Sequence, residues 1–335
     1  MYGDLHYLVA LLFLFGGLYL LSCSANWFVD GASALARAFG VSPFVVGMVI
    51  IGFGTSAPEL MVSTLTGISD HSNLSLGNAY GSCIFNIAAI LGIAALIRPL
   101  RVRWSISWVA APLLVAMCGV AFLLVRDMSF SRTNGFMLLG LFAVVMPLYC
   151  WFDRKGGGGP QQPEQSSAVS LPRAWVLLLG GLAVLVGSSH LLVWGAVDVA
   201  RDVAQWLGFD AKRAEMIIGL TVVAAGTSLP ELASAVASAR KGEHEFVLGN
   251  IVGSNLFNML AVVGMAGSIS PFSGYSSYIV TRDIPMMAAL SLSILIFGAN
   301  WRSPRSGGSI GRRCGVVWLA AFLVYASVMI YQEMH

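Results

Sequence analysis

The chain has 335 residues, 57% of them hydrophobic and only 10% charged. Soluble domains carry about 25% charged residues, so this composition, with a mean hydropathy of +0.79, excludes a water-soluble globule and indicates a polytopic membrane protein. In that setting the net charge of +3 says nothing about nucleic acid.

A membrane-crossing helix needs roughly 17–25 mostly apolar residues. Ten stretches qualify in chain order: about 5–28, 42–66, 73–97, 105–125, 133–152, 173–197, 214–239, 245–268, 279–300 and 313–332. The first begins MYGDLHYLVALLFLFGGLYLL, without a basic leader or a convincing cleavage site, and reads as a retained span rather than a signal peptide. The fifth and sixth are separated by DRKGGGGPQQPEQSSAVSLPR, a Gly/Pro-rich polar stretch expected to be a flexible linker over 153–172. It divides the chain into halves 1–152 and 173–335, with five spans each.

Lys and Arg concentrate on the cytoplasmic side of membrane proteins. With both termini outside, the inner loops hold Arg37, Arg98, Arg101, Arg103, Arg154, Lys155, Arg173, Arg240, Lys241, Arg302, Arg305, Arg312 and Arg313, which is 13 of the 19 basic residues. The expected arrangement is a multi-pass protein of the plasma (inner) membrane, with its linker in the cytoplasm. Trp104, Trp108, Trp151, Trp175, Trp301 and Trp318 fall at inner span ends, where interfacial anchors would sit. Cys23, Cys83, Cys118, Cys150 and Cys314 are scattered singly and read as small apolar residues.

The second span contains Gly54-Thr55-Ser56-Ala57-Pro58-Glu59-Leu60, and the seventh contains Gly226-Thr227-Ser228-Leu229-Pro230-Glu231-Leu232. The offset of 172 continues to match: Leu76-Gly77-Asn78 with Leu248-Gly249-Asn250, Gly81-Ser82 with Gly253-Ser254, Phe85-Asn86 with Phe257-Asn258, and Gly47 with Gly219. From 47 to 87 there are 14 identities in 41 ungapped positions, and Gly, Pro, Glu, Asn and Ser recur in order, which apolar composition alone does not produce. The repeats, about 42–97 and 214–268, are therefore duplicates. Because five spans is an odd number, the second copy enters the membrane from the opposite side. That is the inverted-repeat plan, which places a site near the midplane where broken helices meet. A fainter match, VDGASALAR (29–37) with VWGAVDVAR (193–201), extends the duplication to the first span of each half.

Thr55 and Glu59 are four residues apart and share one helix face, as do Thr227 and Glu231. Pro58 and Pro230 lack an N–H, so the carbonyls of Gly54 and Gly226 lose their helical donors and are expected to point at the same place as the carboxylates. Ser82 and Asn86 repeat the four-residue spacing, as do Ser254 and Asn258. All these ligands are oxygens, which suits hard cations such as Na⁺ and Ca²⁺. Without His or Cys the set fits zinc, copper and iron poorly. Two carboxylates would neutralise one Ca²⁺ or hold a few Na⁺ ions, and a site filled by either but not both couples their movements. Ionisable residues within a membrane mark function by default. The repeated glycines read instead as close helix packing. Asn78 and Asn250 are open between helix–helix bonding and an ionic role. Asp30 and Asp198 read as solvated or interfacial, His190 and His244 as plain polar residues, and Glu243-His244-Glu245 as a short solvated turn.

Two copies of G-T-S-x-P-E-L, each followed by L-G-N-x-x-G-S-x-x-F-N, resemble the alpha repeats of the cation/calcium antiporter superfamily, most closely its prokaryotic sodium/calcium exchangers. The resemblance implies a compact core of spans two, three, seven and eight with four central cation positions, across which long spans one and six slide. It implies Glu59 and Glu231 as central ligands, with Thr55 and Thr227 helping to hold Ca²⁺. One sodium position would use the Gly52 carbonyl, Thr55, Ser56, Ser82 and Glu231. Its mirror would use the Ala224 carbonyl, Thr227, Ser228, Ser254 and Glu59. Asn86 and Asn258 would line the middle. Potassium-coupled branches carry an acid where this chain has Asn258, so potassium independence is expected. The linker is too short for large calcium-sensing domains. The expected fold class is all-α, ten transmembrane helices in two inverted five-helix repeats. The expected partners are Ca²⁺, Na⁺ and the lipid bilayer, with no cofactor and no nucleic acid, and the chain is expected to work as a monomer. Competing readings are H⁺/Ca²⁺ antiport, whose branches show Asn-Ala-x-Glu in the first motif, and a passive cation channel. An intramembrane hydrolase is disfavoured because Ser56 has no paired His.

Overall fold

The computed structural model describes residues 2–69, 71–155, 169–206 and 224–334. The first half runs as span one (Tyr2–Phe39), a broken span two (Pro43–Thr55 and Ala57–Ile68), span three (Ser72–Ile97), span four (Ile106–Val125) and span five (Arg132–Lys155). The second half runs as span six (Leu171–Trp206), span seven (Ala224–Thr227 and Leu229–Lys241), span eight (His244–Ile269), span nine (Ile279–Gly298) and span ten (Arg312–Met334). Most of the linker, Asp70, Gly219 and the expected start of span seven at 214 lie outside the described residues.

Burial follows from the bilayer as solvent. Span eight is buried at every residue from Glu245 to Gly264, and span three is buried along most of its length. Spans one, five, six and ten turn large apolar side chains outward, among them Phe15, Phe136, Val176 and Leu323. Spans four and nine each open with a widened π-helical turn, Ile106–Ala110 and Ile279–Asp283, immediately before Pro112 and Pro285. A proline without an N–H displaces the turn before it, and the two copies lie at corresponding places in the two halves.

The contacts show the inversion directly. Strand β1 (Leu100–Val102) pairs antiparallel with β4 (Gly308–Ile310), and β2 (Ser129–Phe130) with β3 (Phe272–Ser273). β1 follows span three as β3 follows span eight, so the two ribbons exchange under the repeat while sitting at opposite ends of the bundle. Span ten meets span three at Gly92 and Gly315, and span five meets span eight at Gly264 and Gly135, which is the same crossing seen from the two halves.

Spans one and six run antiparallel with their backbones in close contact. A methyl on Gly17 would lie 2.8 Å from the Leu192 amide nitrogen, and one on Gly31 would lie 2.8 Å from the Ala174 carbonyl. Reciprocally, a methyl on Gly181 would lie 2.6 Å from the Phe28 nitrogen, and one on Gly195 would lie 2.6 Å from the Ala10 carbonyl. Only glycine permits that approach. Gly31 and Gly195 occupy one position of the faint repeat, and Gly17 and Gly181 stand 14 residues earlier in each copy.

Several sequence expectations change. Trp318 is buried and donates to Ser293 Oγ at 2.7 Å, so it is a core residue rather than an anchor, whereas Trp151, Trp175 and Trp301 are exposed. The Glu243–Glu245 segment is not a solvated turn. Glu245 is buried at the start of span eight and pairs with Arg103 at 3.2 Å, and Arg103 also pairs with the buried Asp153. Asp153 in turn accepts from Ser42 Oγ at 2.6 Å, so the end of span five is fastened to the start of span two. Asp30 is exposed and accepts from Lys241 Nζ at 2.7 Å, and His190 is exposed. All five cysteines are free thiols.

Candidate cation site

Span two bends by 44° between Thr55 and Ala57. The break falls on Ser56 (φ −84°, ψ 8°), and the same break in span seven falls on Ser228 (φ −93°, ψ 11°). Each helix restarts at once: Leu60 N–H donates to the Ser56 carbonyl and Leu232 N–H to the Ser228 carbonyl, both at 3.1 Å. Pro58 and Pro230 sit in the first turn, where a missing N–H costs nothing. Glu59 and Glu231 occupy that same turn, where the positive end of the helix favours a carboxylate.

The two breaks meet in the interior, and each carboxylate is held by the other half. Ser56 Oγ donates to Glu231 Oε1 at 2.9 Å, and Ser228 Oγ donates to Glu59 Oε1 at 2.9 Å. Thr55 lies beside Glu231 and Thr227 beside Glu59. Thr55, Ser56, Glu59, Ser228 and Glu231 are fully buried. Asn78 and Asn250 act as braces. The Asn78 amide donates to the Glu59 carbonyl at 3.2 Å and Ser63 Oγ at 2.9 Å, and Asn250 donates to the Glu231 carbonyl at 3.4 Å and Ser234 Oγ at 2.9 Å. Their oxygens accept from the threonine of the opposite repeat, Thr227 at 3.5 Å and Thr55 at 3.4 Å. These asparagines thus make the helix–helix bonds that the sequence left open. Ser63 and Ser234 escaped the repeat because their offset is 171, one residue out of register with the rest.

Two further expectations are corrected. Ser254, not Ser82, joins the group around Thr55: its hydroxyl donates to the Gly52 carbonyl at 3.3 Å and to Asn250 Oδ1 at 3.4 Å. Ser82 lies instead 3.2 Å from Ser228 Oγ, on the Glu59 side. The inverted repeat packs span two on span eight, so each broken helix meets the serine of the other half; a methyl on Gly52 would lie 2.9 Å from the Ser254 nitrogen. The second correction is the Gly226 carbonyl. It accepts from Ser189 Oγ of span six at 3.1 Å, so its first partner is a hydroxyl of a peripheral helix. Spans one and six align 164 residues apart, as Gly31 and Gly195 do, and the position matching Ser189 is then Ala25, so the repeat could not reveal it.

Asn86 opens the widened π-helical segment Asn86–Leu91, and Asn258 is the second residue of its counterpart Phe257–Val262, a local geometry frequent at functional sites. Both side chains are fully buried. Among the described residues, Glu59 Oε2, Glu231 Oε2, Asn86 Oδ1 and both amide atoms of Asn258 are buried without a hydrogen-bond partner. A buried acceptor left unmatched costs about 1–3 kcal/mol, more when charged. Such atoms here come from both halves, and a hard cation coordinated by oxygen would satisfy them.

The family model described as sodium/calcium exchanger protein matches residues 9–151 and 173–331. The chain is 35% identical over 329 residues to inner membrane protein YrbG of Escherichia coli, covering 96% of this chain and 97% of that one. It is 29% identical over 357 residues to sodium/calcium exchanger MaX1 of Methanosarcina acetivorans, covering 96% and 99%. Its structure is similar to that of the sodium-calcium exchanger NCX_Mj soaked with Na⁺ and Sr²⁺, with a TM-score of 0.78 and 29% identity over 95% of this chain and 98% of that one.

Proposed function

The chain belongs to the sodium/calcium exchanger family, and on that premise we propose that this multi-pass cation/Ca²⁺ antiporter draws on Na⁺ as the coupling ion and does so without potassium. The observation that carries the proposal is the crossed pair Ser56–Glu231 and Ser228–Glu59, set among neutral oxygens. A proton carrier needs only the carboxylates. Sodium also needs hydroxyl and carbonyl oxygens, and the site supplies them in two copies. In this reading Glu59 and Glu231 share the Ca²⁺ with Thr55 and Thr227. One sodium position uses the Gly52 carbonyl, Thr55, Ser56, Ser254 and Glu231, and the other uses the Ala224 carbonyl, Thr227, Ser228, Ser82 and Glu59. Asn86 and Asn258 line the middle, and an amide at Asn258 supplies an oxygen without the extra charge that a potassium-coupled site would need.

The halves are assigned as 1–152 and 173–335, joined by a cytoplasmic linker, with both termini outside and the protein in the inner membrane, the location that the name of its Escherichia coli relative also carries. Counter-ion-resolved flux tests the reading. Proteoliposomes loaded with ⁴⁵Ca²⁺ should exchange it under a sodium gradient, equally with or without potassium. Exchange driven by a pH gradient alone would replace sodium with protons, and flux without any counter-ion would replace the antiporter with a channel.

A further inference from the structure

The offset of 172 that pairs Thr55, Ser56, Glu59, Ser82 and Asn86 with their twins also pairs Cys83 with Asn255, two unlike residues at one position of the repeat. They meet each other across the centre of the molecule. Asn255 Nδ2 donates to the Cys83 carbonyl at 3.2 Å, and the Cys83 thiol donates to the Asn255 carbonyl at 3.7 Å. Asn255 Oδ1 accepts from Asn86 Nδ2 at 3.0 Å. All three side chains are buried.

This chain of bonds has one direction. A backbone carbonyl can only accept, so it sets the amide nitrogen of Asn255 toward Cys83. That leaves the Asn255 oxygen toward Asn86, and Asn86 must then present its own nitrogen to Asn255. Its oxygen is turned the other way and has no protein partner among the described residues. Asn258, the twin of Asn86, would need the same service from position 83. A cysteine there has no amide, and both polar atoms of Asn258 lack a partner among the described residues.

We propose that Asn255 is a positioning residue for cation binding: it locks the Asn86 amide with its oxygen toward the ions and leaves Asn258 free to rotate, so the two repeats contribute unlike ligands to one site. The proposal rests on the reading above that Asn86 lines the cation site. Asn255 touches no ion itself and acts only through Asn86.

The test is equilibrium ⁴⁵Ca²⁺ binding to the detergent-solubilised protein, which does not depend on the coupling ion. Asn255→Ala is expected to weaken Ca²⁺ binding about fivefold, the equivalent of one neutral hydrogen bond, and to have no further effect in an Asn86→Ala background. Cys83→Ala keeps the carbonyl anchor and is expected to bind Ca²⁺ as the wild type does. If Asn255→Ala fails to fold, Asn255→Cys, which copies the residue of the first half, carries the same readout. Unchanged Ca²⁺ affinity, or an equal loss with and without Asn86, overturns the proposal. Ca²⁺ binding without sodium-driven flux would instead refute the choice of coupling ion and leave the role of Asn255 standing. A wild-type chain that binds no Ca²⁺ would refute both.

Discussion

Replacing Ser56 with alanine removes the hydroxyl that holds Glu231 Oε1 at 2.9 Å inside the protein. A hydrogen bond to a charged acceptor contributes about 1.5–3 kcal/mol. At 1.4 kcal/mol per decade this is a loss of roughly 10- to 150-fold in Ca²⁺ affinity. Ser228→Ala removes the mirrored bond to Glu59, but its surroundings differ. Ser82 Oγ stands 3.2 Å from Ser228 Oγ and can turn toward the carboxylate, whereas Ser254 is engaged with the Gly52 carbonyl and Asn250 Oδ1. Ser56→Ala should therefore fall toward the upper end of the range and Ser228→Ala toward the lower. Equilibrium ⁴⁵Ca²⁺ binding in detergent measures both, and a Ca²⁺-free melting curve for each variant confirms that it is folded. Wild-type affinity in Ser56→Ala, or a larger loss in Ser228→Ala than in Ser56→Ala, would refute the reasoning.

Glu59→Gln leaves a divalent ion facing one carboxylate in a dry site and should abolish Ca²⁺ exchange; flux at the wild-type rate in proteoliposomes would remove Glu59 from the centre. Asn258→Asp adds a charge where the amide has no partner among the described residues and should change cation selectivity, read as potassium dependence of ⁴⁵Ca²⁺ uptake. Gly31→Ala places a methyl 2.8 Å from the Ala174 carbonyl; overpacking of this kind costs about 1–3 kcal/mol, and melting in detergent should show it together with slower exchange. Arg103→Ala strands Asp153, whose side chain is fully buried; removing one partner of a buried ion pair costs about 3–5 kcal/mol, so this variant should melt well below Arg103→Lys.

The sequence made the centre of the protein legible because the chemistry there is duplicated. Thr55, Ser56, Glu59 and their twins recur at a single offset, and the structure brings all six together. What escaped reading was whatever the offset does not carry. Ser63 and Ser234 differ in register by one residue, and Ser189 has Ala25 as its counterpart. The glycine contacts between spans one and six follow a shorter offset, 164, because eight more residues separate the two repeated blocks in the second half than in the first. The assignment of Ser82 and Ser254 also needed three dimensions. Spacing along a chain shows that two serines are equivalent, but not which half of an inverted pair each one faces. Trp318 and Glu245 were misread for a related reason. Hydropathy locates the end of a span but cannot show whether that end meets lipid or a neighbouring helix.

The crossed hydrogen bonds also bear on why exchange is coupled. Two carboxylates stand at zero exposure, each with one oxygen held by a serine of the other half and one without a protein partner among the described residues. Burying a charge without compensation costs several kcal/mol per group. A conformational step that seals this site from water therefore carries that cost unless positive charge is bound. On the sodium-coupled reading proposed above, Ca²⁺ would supply it as a single ion and Na⁺ as several. An empty site that kept both of these close carboxylates ionised would face the largest barrier to closing. The same electrostatics that bind the ion thus hinder return of the unloaded protein, and exchange prevails over leak without a separate gate. Neutralising both acids, Glu59→Gln with Glu231→Gln, should lift that barrier while removing Ca²⁺ binding. Single-molecule distance measurements across spans one and eight would then show switching in ion-free buffer that the wild type lacks; an equally immobile double variant would mean that packing, rather than charge, holds the empty protein still.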